Sequence, residues 1–79
     1  MPTLLRAYGF RFHFYAADLS EPPHVHVQKD GKEAKIWLHN LKVVETGGFN
    51  SLELRRIVAI TKEHRDDFLR SWHEFGRSR

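Results

Sequence analysis

An α+β fold is what this sequence predicts: a small antiparallel sheet of three to five strands packed on a C-terminal helix. Three observations predict it. The runs from Phe10 and from His24 alternate side chains with the two-residue period of a strand. Asp30-Gly31 stands between two such runs, the strongest short-range signal for a hairpin. From Leu54 to Phe75, apolar residues recur at helical spacing. The 79 residues are expected to form one domain, with 1–48 as the sheet and 49–77 as the helical part.

The first strand is TLLRA, and Tyr8-Gly9 turns the chain into FRFHFYA, because glycine accepts the positive φ of a tight turn. In that second segment Phe10, Phe12 and Phe14 share one face, while Arg11, His13 and Tyr15 share the other. Asp18 to Pro23 reads as a loop, since consecutive prolines exclude helix and give the ladder no donors. The run His24 to Gln28 sets Val25 and Val27 against His24, His26 and Gln28. After the turn, Glu33 to His39 sets Ala34, Ile36 and Leu38 against Lys35, Trp37 and His39. If Asp30 and Gly31 are the two loop residues, paired positions add to 61, so His26 faces Lys35, His24 faces Trp37 and Val25 faces Ile36. Lys42 to Thr46 is a further short strand.

Gly47-Gly48 closes the strand half. Asn50 is the expected N-cap, with Glu53 at the third helical position of a capping box and Phe49 and Leu54 placed as a hydrophobic staple. The apolar seam weakens between Thr61 and Asp67, where a kink or a second helix start at Asp66 fits the pattern. Its stripe is expected to cover the sheet face that bears the phenylalanines and valines.

Composition excludes several classes. Hydrophobic residues are 41% and charged residues 29%, which is enough apolar material to fold. A chain this short buries only about 60–65% of its unfolded surface, so a partner or a homodimer adds to its stability. No apolar run approaches the roughly 18 residues that span a bilayer, and the start lacks a signal-peptide pattern, so a cytoplasmic location is expected. The absence of cysteine excludes disulfides, thiolate zinc sites and a cysteine nucleophile. Net charge is +3, but six basic against five acidic residues in 1–50 and seven against five in 51–79 leave no basic tail. Six histidines are the more unusual feature.

Sorting by face leaves a second layer, expected to be helix-free and open, with Arg11, His13, Tyr15, His24, His26, Gln28, Lys35, Trp37 and His39 and no carboxylate. Two chemistries suit it. One uses His24 and His26 as base and acid on RNA, with Lys35 or Arg11 stabilising charge on a phosphate and His13, Tyr15, Trp37 and His39 as binding residues. The other takes His24 and His26, which point the same way on a strand, as ligands of zinc or another divalent metal, with His13 or His39 as the third. Against both stands the plain reading of a polar and aromatic solvent-facing sheet. Serine nucleophile, phosphate-loop and dinucleotide motifs are absent. His64 and His73 are nine residues apart on the helix and belong to packing or surface.

Met1-Pro2-Thr3, the string Pro22-Pro23-His24-Val25-His26-Val27, and Phe68-Leu69-Arg70-Ser71-Trp72 resemble the small bacterial domain-of-unknown-function family 4160 over nearly the whole chain. The resemblance implies a bacterial cytosolic protein, suspected as a component of a toxin–antitoxin-like pair, with a cognate small protein partner. It favours His24 and His26 as functional positions and brings no assigned catalytic residues.

Overall fold

The computed structural model describes residues 3–15 and 19–77. Met1, Pro2, Ala16 and Asp18, which the expectations above include, lie outside them. Five strands, β1 (Thr3–Ala7), β2 (Phe10–His13), β3 (His24–Lys29), β4 (Lys32–Trp37) and β5 (Val43–Glu45), precede two helices, α1 (Ser51–Glu63) and α2 (Arg65–Arg77). The strands form one antiparallel sheet in the order β1-β2-β3-β4-β5. The fold is α+β, as the alternation and the helical stripe predict. No helix among the described residues is long and apolar enough to cross a membrane.

Turn chemistry sets the register. Tyr8 and Gly9 have φ of 54° and 83°, and Asp30 and Gly31 have 51° and 77°. Positive φ at both central residues twists a two-residue turn the way the strands twist. Across the second turn His24 faces Trp37, Val25 faces Ile36 and His26 faces Lys35, as the arithmetic requires. Across β2 and β3, Arg11 faces Gln28 and His13 faces His26.

Two strands end earlier than the alternation predicts. β2 stops at His13, and Phe14 leaves the ladder with its ring 5.2 Å from both Trp72 and Phe75, so aromatic packing replaces strand pairing there. β4 stops at Trp37 because the chain turns at once: Leu41 N–H donates to the Trp37 carbonyl at 3.0 Å. His39 therefore lies in the turn, beyond the strand that was expected to carry it.

The capping box is formed. Glu53 N–H donates to Asn50 Oδ1 at 2.8 Å and Asn50 N–H donates to Glu53 Oε1 at 3.0 Å. The weak seam is a real break: His64 N–H donates to the Ile60 carbonyl to close α1, and the His64 carbonyl accepts Phe68 N–H to open α2. The core lies between the helices and one side of the sheet, with Phe10, Phe12, Val25, Val27, Ala34, Ile36 and Leu38 under Phe49, Ile57, Ile60 and Phe68. Gly47, at φ 62°, passes so close to β4 that a Cβ there would overlap the Glu33 carbonyl.

Candidate functional site

The pleat puts His13, His26 and Lys35 in one row across β2, β3 and β4, with Arg11, Gln28 and Glu33 in the row beside it. His24 and Trp37 form the next row. The layer departs in two ways from the open, carboxylate-free face that the alternation predicts. The layer does hold a carboxylate, because Glu33 faces Gln28 across the hairpin. The same register arithmetic places it there, since 28 and 33 also add to 61. Nor is the layer open: His13 and His24 are 0% exposed and His26 is 9%.

What closes it is aromatic. Tyr15, just past β2, meets His13 edge to face at 5.0 Å and lies tilted 4.8 Å from the ring of His26. Trp72 of α2 reaches round the end of the sheet to 5.1 Å from His24, and Trp37 meets the same imidazole edge to face at 5.4 Å. His26 lies between the other two imidazoles, 5.7 Å from His13 and 5.1 Å from His24.

Glu33 gathers the polar groups of this layer. Tyr15 Oη donates to Glu33 Oε1 at 3.0 Å, and His13 Nε2 lies 3.1 Å from Tyr15 Oη and 3.5 Å from Glu33 Oε1. The hydroxyl has one proton and gives it to the carboxylate, so the proton between His13 and Tyr15 belongs to His13 Nε2. Burial, and then the charge of Arg11, hold the His13 pKa below its ordinary value against the pull of Glu33. His26 Nδ1 is 3.4 Å from Glu33 Oε2. His24 Nδ1 donates to the Pro22 carbonyl at 2.9 Å, which fixes its tautomer, because a carbonyl only accepts.

The cations expected to meet phosphate are engaged within the chain. Lys35 Nζ is 2.6 Å from Glu21 Oε1 and 4.8 Å from the Trp37 ring centroid. Arg11 donates through Nε to Thr3 Oγ1 at 2.9 Å and through Nη1 to Gln28 Oε1 at 3.0 Å. The exposed His39 has its ring 6.0 Å from that of Trp37 and stands at the margin of the layer. Among the described residues no group of three or more His, Cys, Asp or Glu is gathered to hold a metal ion. The structure thus brings together His13, Tyr15, His24, His26 and Trp37, adds Glu33 and Trp72, and leaves Lys35, Arg11 and His39 at the rim.

A family model described as a domain of unknown function, DUF4160, matches residues 9–73. The chain belongs to this family. The match takes in β2 to β5, α1 and most of α2, and so every residue of the layer just described. No curated protein and no solved structure matches the chain.

Proposed function

We propose that this DUF4160 protein is a non-enzymatic interaction module, one half of a toxin–antitoxin-like pair, which meets a small cognate protein through the sheet side bearing Tyr15 and Trp37. The burial of the imidazoles carries this reading. A phosphate of RNA has no access to His24, and the neighbouring cations already have partners. The imidazole layer serves as a rigid floor, while the surface above it mixes exposed Tyr15 and half-buried Trp37 with Glu21, Lys35, Glu33 and Arg11. Aromatic and arginine anchors among neutralised charges are the composition of protein interfaces.

Isothermal titration of the chain with its small cognate protein, identified by co-purification, tests this. Tyr15→Ala and Trp37→Ala are each expected to weaken binding by about tenfold or more, on the scale of interface aromatics. Tyr8→Ala, on a turn at the far end of the sheet, leaves the affinity unchanged. Unchanged affinity in both of the first two variants overturns the proposal.

A second reading rests on His26 alone. Its side chain keeps 11% of its surface, and Glu33 Oε2 lies 3.4 Å from its Nδ1, close enough to pair with the imidazolium that a general base becomes. It requires RNA cleavage by the purified chain that His26→Ala lowers by about 10².

A further inference from the structure

The end of the sheet that carries both two-residue turns differs in chemistry from either face. Lys29 and Lys32 stand directly opposite each other beside the Asp30-Gly31 turn. Like charges in that relation weaken a strand pair. Among the described residues neither side chain meets a buried carboxylate. Lys29 Nζ lies 4.7 Å from the Phe10 ring centroid, and Lys32 Nζ lies 5.6 Å from that of Phe49. Those two rings meet edge to face at 5.8 Å. Gly9 makes room for the Lys29 stem, which a Cβ at that position would meet at 3.2 Å.

Beside the lysines, the Arg56 guanidinium of α1 sits 5.5 Å from the ring centroid of Tyr8, and Tyr8 is 71% exposed. Among the described residues neither Lys29 nor Arg56 takes part in an ion pair. Lys32 has Glu53 at 3.7 Å, but that carboxylate also accepts the Asn50 N–H of the capping box. Asp30, exposed in the turn, pairs with neither lysine. The surface is therefore net positive with both carboxylates counted. It presents an aromatic ring with a guanidinium against it and most of its area open.

We propose that Tyr8, Lys29, Lys32 and Arg56 form a binding site for single-stranded nucleic acid, with Tyr8 stacking a base and the three cations meeting backbone phosphates. A ligand that needs a flat partner for an exposed ring and also several cations is a nucleotide chain. An acidic protein surface answers the charges but leaves the ring without a specific use. Arginine against the ring adds its own attraction for a stacked base. This site is on the helix side and does not rest on the protein-partner reading, so the chain has one surface for each.

The test is fluorescence anisotropy of the full chain with a labelled oligouridylate of about twelve nucleotides, within the range of site sizes known for such grooves. Binding is expected to weaken with salt at a log–log slope of about −2, from three phosphates at roughly −0.7 each. Tyr8→Ala should lose about tenfold or more while Tyr8→Phe retains binding, because stacking needs the ring and not the hydroxyl. Lys29→Gln and Lys32→Gln should each reduce the slope by about 0.7. Arg70→Gln, which removes an exposed cation on α2, should leave the affinity within about twofold at moderate salt. Circular dichroism of each variant separates lost binding from lost fold. No binding at low salt, equal binding by Tyr8→Ala, or equally tight binding of polyglutamate overturns the proposal.

Discussion

The two sides of the sheet both exclude water at their centres, by opposite means. On the helix side Phe10, Phe12, Val25, Val27, Ala34 and Ile36 are covered by α1 and α2 in an apolar core. On the other side three imidazoles are covered by Tyr15, Trp37 and Trp72, with one carboxylate among them. Apolar packing depends on shape and volume, and has no direction. The imidazole layer depends also on where protons sit: His13 Nε2–H to Tyr15, Tyr15 O–H to Glu33, His24 Nδ1–H to Pro22. One side is therefore indifferent to pH, and the other is not.

The largest effect should come from the apolar side. Phe12 is fully buried and its ring stacks 5.6 Å from Phe68, so Phe12→Ala is expected to cost about 3–5 kcal/mol in urea denaturation. A loss under 1 kcal/mol would mean that the helices are not seated on this face. On the other side His24→Ala should cost about 2–3 kcal/mol, because it empties a space bounded by the rings of His26, Trp37 and Trp72 and removes the bond to Pro22. A change within about 0.5 kcal/mol, the scale of surface substitutions, would instead show that the imidazole layer is open to water.

The third experiment sharpens the contrast by titration. The folded pKa of His13 is held below its ordinary 6.5, so protonation favours the unfolded chain. The stability tied to its neutral form is present above pH 6.5 and is lost as pH falls below that value. The slope from this group is at most about 1.4 kcal/mol per pH unit. Melting temperatures from pH 8 to pH 5 should fall on the acid side, and His13→Gln should flatten that fall. An identical acid limb in the variant would assign the pH dependence to other groups.

Local chemistry was legible in the sequence, and long-range closure was not. Asp30-Gly31 set the register of β3 on β4 because a two-residue turn admits one pairing. Asn50 and Glu53 set the start of α1 because a capping box is written in adjacent residues. The thin seam after Thr61 marked the break that His64 makes. Glu33 was equally legible, since it falls opposite Gln28 by the same arithmetic, yet alternation within β4 draws the eye to Lys35 and Trp37. The burial of His24 could not be read. It depends on Trp72, 48 positions away, and on Tyr15 folding back after β2 ends. Strand periodicity tells which residues share a side, and carries no information on what comes from elsewhere to cover that side. Tyr8 was legible as a turn residue, and its relation to Arg56 was not, for the same reason.

The order β1-β2-β3-β4-β5 has a kinetic consequence. Each strand hydrogen-bonds only to its neighbours in the chain, so no pairing must wait for a distant segment to return, and each closure encloses a short loop. Topologies of this kind sit at the rapid end of sheet-forming proteins. The hairpin of β3 and β4, with six paired positions against three between β2 and β3, is where zipping would begin. The sheet then grows outward to β1 on one flank and β5 on the other. Trp72 follows all five strands in the chain, so a nascent chain can assemble its sheet while the imidazole layer still awaits its cover.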